Sequence, residues 1–152
     1  MKNWDDYRLG LVEQIKLKSK DKYTQIGALI LTEDNTPVSF GYNSFPRGVR
    51  DDVEERQERP EKYHWFSHAE TNAIVNAAKK GSATDGSIMY LSCGVPCPDC
   101  ARNIINAGIK EVVCKDHQEV MNNPKKWEEL SKRSLQMFEE SGVKIRYWDN
   151  EN

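Results

Sequence analysis

Apolar positions follow two different periods along this chain, and the order in which the periods alternate sets the fold class. From Trp4 to Lys18 they fall at Trp4, Tyr7, Leu11, Val12 and Ile15, close to the 3.6-residue period of an amphipathic helix. The run from Gln25 to Leu31, a polar turn from Thr32 to Thr36, and a second run from Pro37 to Tyr42 predict a β-hairpin. Helical spacing returns from His68 to Lys80 and stops at Gly81. Ser87 to Leu91 predicts a short strand, Pro98 to Ala107 a helix stopped by Gly108, and Glu111 to Lys115 a fourth strand. Pro124 to Glu140 predicts a helix closed by Gly142, and Val143 to Tyr147 a fifth strand. This alternation predicts an α/β fold: a mixed five-stranded sheet with helices on both faces, three layers in all.

One stretch breaks the rhythm. From Asn43 to Tyr63 the chain is polar, with Arg47, Gly48, Arg50, Asp51 and Asp52 followed by Glu54, Glu55, Arg56, Glu58 and Arg59. A solvated insertion is the simplest account, but long irregular loops in compact domains are uncommon unless they bind something. Arginines beside carboxylates suit a nucleoside triphosphate with a divalent ion.

Composition narrows the function classes. With 152 residues the chain fits one domain, residues 1–152. Its net charge is −2, and it has no Lys/Arg-rich tract, so it lacks the footprint of a protein that binds long nucleic acid. A small substrate is expected instead. The amino terminus carries no apolar run and nothing downstream reaches membrane-spanning length, so secretion and membrane insertion are not expected. The four cysteines, two of them in one short motif, fit a reducing, cytoplasmic setting better than a disulfide framework.

The chemistry concentrates in His68-Ala69-Glu70 and Pro96-Cys97-Pro98-Asp99-Cys100. His68, Cys97 and Cys100 make three nitrogen and sulfur ligands, a set that suits zinc and leaves the fourth tetrahedral position open for water, as in catalytic sites. Glu70 is then the spare carboxylate. From two residues beyond His68 it can carry protons from that water to a ring nitrogen beside an amino-bearing carbon, and later to departing ammonia. A helix starting at Pro98 puts both thiolates at its N-terminal end, where free N–H groups favour anions. Cys-x-x-Cys alone serves equally as a redox motif or half of a structural zinc site, and His-x-Glu alone is weak; each gains from the other. His64 and His117 lack such context and read as surface or packing residues, His64 with a place near the site entrance as its alternative. Cys93 and Cys114 lie in strand-like runs and read as free buried thiols.

The pairing H-x-E…P-C-x-x-C is the signature of zinc deaminases. From about Trp4 to Tyr147 the chain resembles the deoxycytidylate (dCMP) deaminase family of the cytidine deaminase superfamily. Besides the two motifs, Ser19-Lys20-Asp21 leading into Thr24 to Ala28, and Gly41-Tyr42-Asn43-Ser44-Phe45-Pro46-Arg47-Gly48, carry the likeness. The resemblance implies a cytidine-deaminase-like fold and hydrolysis of dCMP to dUMP and ammonia. It further implies a homohexamer activated by dCTP and inhibited by dTTP with Mg(2+). Asn43, Ala69 and either Ser19 or Lys18 would contact substrate. Ser44, Phe45, Arg47, Gly48, Arg50, Asp51 and Asp52 would meet the regulatory nucleotide. Ser44 stands where the family commonly has glycine, and Cys93 replaces a more usual small or hydroxyl residue. Competing readings are a deaminase acting on dCTP, hydroxymethylated cytosine, free nucleosides or tRNA with the same Zn(2+) chemistry, and a zinc-stabilised nucleotide-binding module without catalysis.

Overall fold

The computed structural model describes residues 3–116 and 124–148; His117 lies outside them. Five strands form one sheet: β1 (Gly27–Leu31), β2 (Pro37–Tyr42), β3 (Ile88–Leu91), β4 (Glu111–Lys115) and β5 (Lys144–Trp148), in the order β2-β1-β3-β4-β5. β1 runs antiparallel to β2 and β3, whereas β3, β4 and β5 are parallel, so the sheet is mixed as the sequence predicts. Every residue of β1 and β3 is buried, which explains their unbroken apolar runs: a central strand covered on both faces has no solvent side.

The helices are α1 (Trp4–Ile15), α2 (Lys62–Trp65), α3 (Ala69–Lys80), α4 (Pro98–Asn106) and α5 (Pro124–Ser141). α1 covers one face, packing Leu9 and Val12 on Leu29, Leu31, Tyr90 and Val113. Each such burial contributes about 1.5–3 kcal/mol. α3, α4 and α5 cover the other, bringing Ala69, Ala73, Ala101, Ile104 and Phe138 onto Ala28, Ile30, Met89, Leu91 and Val112. Two glycines let helix backbone touch strand backbone. A Cβ on Gly27 would lie 2.5 Å from the Val12 carbonyl oxygen of α1, and one on Gly41 would lie 2.5 Å from the Ala73 nitrogen of α3.

α1 corrects the periodicity reading. Asn3 caps it, its Oδ1 accepting from the Asp6 N–H at 2.8 Å. However, Trp4, Tyr7 and Leu11 of the expected apolar stripe are 58%, 53% and 36% exposed, and the buried residues are Arg8, Leu9 and Val12. Arg8 goes inward because it donates to the Tyr90 hydroxyl and lies over the Trp4 and Tyr90 rings, at 5.3 and 5.1 Å. The helix ends at Ile15, and Lys16–Lys18 continue as a 3-10 turn.

The polar insertion is less loose than its composition suggests. It contains a 3-10 turn at Glu54–Arg56 and the short helix α2, whose Lys62 is buried. Lys62 Nζ meets Asp21 Oδ2 at 2.9 Å, and both side chains are about 5% exposed. Asp21 also accepts from the N–H groups of Tyr23 and Thr24. Burial pushes its carboxyl pKa up, but these N–H groups and Lys62 hold it below the usual value.

Candidate metal centre and active site

The ligand-bearing residues stand at helix starts. His68 is the N-cap of α3, in extended backbone at φ −72° and ψ 151°, and Cys97 is the N-cap of α4 at φ −64° and ψ 163°. His68 therefore precedes the helix instead of occupying its first turn, as the sequence alone suggested. Neither side chain caps its own helix. Both are thus free to point into the space between the helix ends, where the two dipoles favour anions. Pro98 occupies the first turn of α4 with its fixed φ, and Cys100 follows as the buried third residue.

His68, Cys97 and Cys100 converge. His68 Nδ1 lies 3.5 Å from Cys97 Sγ and 3.4 Å from Cys100 Sγ, and all three ligand atoms fall within 4.8 Å of one another. A tetrahedral zinc with Zn–S near 2.3 Å and Zn–N near 2.0–2.1 Å sets S···N edges of about 3.5 Å, so the cluster fits that ion. It is the His/Cys/Cys cluster of metal-ligand type found among the described residues. His68 is exposed, Cys97 half-buried and Cys100 buried, which leaves one side of the cluster accessible.

Charge is distributed unevenly among these groups. A hydrogen bond from Cys100 and the neighbouring His68 draw the Cys97 thiol down to about 4. Cys100 is pushed up, first by its bond to that thiolate. His68 rises to about 9, chiefly through its hydrogen bond to Cys97. These groups hold their protons jointly, and a cation must displace them. Glu70, in the first turn of α3, is 4% exposed and its Oε1 has no hydrogen-bond partner. Burial raises its pKa, only partly opposed by His68. An unpartnered buried carboxylate oxygen beside a ligand cluster is costly to maintain and is poised to take a proton.

The other expected site residues divide into two groups. Asn43, Ser19 and Ala69 are buried, and the polar side chains of Asn43 and Ser19 bond within the fold. Asn43 Oδ1 accepts from the Ile26 N–H, its Nδ2 donates to the Thr24 carbonyl, and Ser19 Oγ donates to the Asn43 carbonyl. Lys18, by contrast, lines a cavity of about 300 Å³ together with Ser44, Phe45, Arg47, Gly48 and Asp51. Lys20 joins them, paired to Asp51 at 2.8 Å. Arg47 donates to Asn76 Oδ1, and Phe45 is buried against Trp65 and Phe66. Arg50 and Asp52 pair with each other in the open at 3.2 Å; Asp52 lines a neighbouring hollow with Lys22 and Glu54.

Sequence reading missed Asn72, whose Nδ2 donates to the Tyr42 carbonyl and to Ser44 Oγ and so ties the cavity loop to α3. Its place four residues after His68 was the available signal. His64 is exposed on α2. Cys93 and Cys114 are free thiols, Cys93 half-buried and Cys114 buried; burial pushes Cys114 up to about 12 and raises Cys93 too.

Residues 2–116 match the family model described as the cytidine and deoxycytidylate deaminase zinc-binding region. An uncharacterized deaminase in the luxG 3′ region of Aliivibrio fischeri is 35% identical over 144 residues, 95% of this chain and 92% of that protein. The Homo sapiens deoxycytidylate deaminase is 39% identical over 115 residues, covering 72% of this chain and 63% of its own length. Among solved structures, the dCMP deaminase of cyanophage S-TIM5 in complex with dCMP and dUMP superposes with a TM-score of 0.76 at 24% identity. That match covers 97% of this chain and 99% of the other, and it establishes the shared fold.

Proposed function

The chain belongs to the cytidine and deoxycytidylate deaminase family, whose matching region is zinc-binding, and from that premise we propose that it hydrolyses dCMP to dUMP and ammonia. The observation that carries the reading is the His68–Cys97–Cys100 cluster with the unpartnered Glu70 Oε1 beside it. The three ligand residues would hold Zn(2+). When bound, that ion supplies Lewis acidity at its open position, lowering the pKa of water there to about 7.

The chain's own residues supply the rest. Glu70 accepts a proton from the attacking water and passes it to the ring nitrogen beside the amino-bearing carbon, which makes that carbon electrophilic. Glu70 then takes the remaining proton of the newly added hydroxyl and hands it to the amino group, so that the C–N bond breaks, ammonia leaves and the carbonyl of the product forms. The two helix starts steady the negative charge gathered at the ligand cluster. Asn43 and Ser19 hold the loop that faces substrate, Ala69 fills the wall beneath it, and Lys18, which lines the cavity, is placed to meet a phosphate.

The finer reading extends to regulation and assembly. The cavity along Ser44 to Asp51, edged by Lys18, Lys20 and Arg47, has the charge for a deoxynucleoside triphosphate. Asp51 and Asp52 offer oxygens to Mg(2+). dCTP would activate and dTTP inhibit there, in a single-domain protein assembled as a homohexamer in the cytoplasm. No helix among the described residues is long and apolar enough to cross a membrane.

The test is ammonia release, with the uracil product confirmed by chromatography, from deoxycytidine, dCMP and dCTP in parallel, with and without dTTP and magnesium. Selective turnover of dCMP that dTTP suppresses is expected. Equal or better turnover of dCTP or deoxycytidine would keep the zinc chemistry and overturn the substrate, and no turnover of any of them would favour a binding module.

A further inference from the structure

One ligand of the cluster has polar company that the reaction above does not use. Cys100 Sγ lies 3.6 Å from Thr71 Oγ1, and Thr71 Oγ1 in turn lies 3.1 Å from Asn103 Nδ2. Thr71 follows Glu70 on α3, and Asn103 sits one turn beyond Cys100 on α4. The three groups thus bridge the two helices that deliver the metal ligands.

With the Asn103 amide nitrogen turned toward Thr71, donor counts give this chain of hydrogen bonds one direction. An amide nitrogen only donates, so Thr71 Oγ1 accepts from Asn103. A hydroxyl has one hydrogen, and with Asn103 on the oxygen's lone-pair side that hydrogen is left for Cys100 Sγ. A thiolate that ligates a metal has no hydrogen of its own and can only accept. Were the Asn103 amide turned over, Thr71 would donate to Oδ1 instead and the sulfur would lose its donor.

We propose that Asn103 and Thr71 are positioning residues that hold Cys100 as a ligand, with Asn103 orienting the Thr71 hydroxyl so that it donates to the Cys100 thiolate. The proposal rests on the zinc reading of the His68–Cys97–Cys100 cluster. A hydrogen bond to a ligating thiolate withdraws charge from sulfur and pins its direction, and losing such an outer partner typically costs 10–100-fold in metal affinity or activity. The effect falls on one sulfur, because neither Thr71 nor Asn103 is bonded to Cys97 among the described residues.

The experiment compares the parent protein with Thr71→Val, Thr71→Ser and Asn103→Leu, each loaded with Co(2+) for spectroscopy and with Zn(2+) for chelator competition. Thr71→Val keeps the shape of the side chain and removes the donor. Its more electron-rich thiolate should move the sulfur-to-cobalt charge-transfer band to longer wavelength, and zinc should bind about 10–100-fold more weakly. Thr71→Ser should restore both readings. Asn103→Leu should move the band the same way by less, and add nothing when combined with Thr71→Val. Thermal unfolding of each variant identifies any that fails to fold; if Thr71→Val does, Asn103→Leu carries the comparison, and an unchanged band and zinc affinity there would overturn the relay. An unchanged band and zinc affinity within twofold in Thr71→Val would overturn the relay. A parent protein with no thiolate band at all would overturn the underlying metal reading as well, an outcome distinct from the first.

Discussion

Asp5 and Glu70 are carboxylates on opposite faces of the same sheet, and their surroundings push them in opposite directions. Asp5, on α1, accepts from Arg146 Nη1 at 2.8 Å, from Arg146 Nη2 at 3.2 Å and from the Tyr90 hydroxyl at 2.9 Å. The Arg146 hydrogen bond is the chief reason its pKa lies below the usual value. Arg146 also bonds Glu111, so Asp5, Arg146 and Glu111 are linked charges on the α1 face, where Arg8 Nε is the buried polar atom left without a partner among the described residues. Glu70 has burial without a partner for Oε1, and its pKa is raised. A paired carboxylate adds to stability and has little left to offer a substrate. An unpaired one costs stability and keeps a proton-accepting oxygen available. The difference separates a face that holds the fold from the face that carries the proposed site.

The largest effect should come from removing Glu70, the carboxylate proposed to carry protons. Glu70→Gln is expected to keep its zinc by metal analysis and to lose turnover by about 10²–10⁴-fold. Residual activity within about tenfold of the parent would sink the proton-carrier role. Next comes the buried pair under the insertion. Lys62→Met leaves the Asp21 charge inside with its backbone donors and a long contact from Asn43 Nδ2, and chemical denaturation should report a loss of about 3–5 kcal/mol. A loss under 1 kcal/mol would mean that the insertion is not anchored there.

The two glycines set the faces against each other directly. Gly27→Ala and Gly41→Ala each force a Cβ to within 2.5 Å of helix backbone and should each cost about 1–3 kcal/mol. Gly41→Ala displaces α3, which carries Glu70, and so should also lower kcat. Gly27→Ala displaces α1 and should leave kcat unchanged at a temperature where it stays folded. Equal losses of kcat in both variants would erase the distinction between the faces.

The smallest effect is a pH dependence. The Asp5 pKa is lower in the folded protein than in the unfolded chain, so its contribution is complete above the ordinary value near 4 and is lost as pH falls through the folded pKa. Asp5→Asn should therefore narrow the difference in stability between pH 6 and pH 3, measured by urea unfolding. An unaltered pH profile would show that Arg146 finds no net gain in Asp5.

The reactive face was the more legible in the sequence. His68, Cys97, Cys100 and Glu70 are residue types whose chemistry is specific at short spacing, and Pro98, Gly81 and Gly108 mark helix ends by local backbone rules. The holding face was not. Helical periodicity assigns charge to solvent, and the Tyr90 hydroxyl that takes Arg8 inward lies 82 residues away. Lys62 lay in a run of charges that reads as solvated, and its partner Asp21 is 41 residues distant. Local pattern carries no information about such pairings. Thr71 and Asn103 escaped notice for the same reason, since their relation exists only once α3 and α4 lie side by side.

The Asp5–Arg146 pair spans 141 positions of sequence, and this has a consequence for synthesis. A ribosome delivers His68, Glu70, Cys97 and Cys100 well before Arg146, so the ligand set is complete while the amino-terminal helix still lacks its tie to β5. A nascent chain halted between Cys100 and Arg146 would hold the three proposed metal ligands and none of that clasp. The proposed ligand set is thus synthesised first, and the tie between the amino-terminal helix and β5 is fastened last.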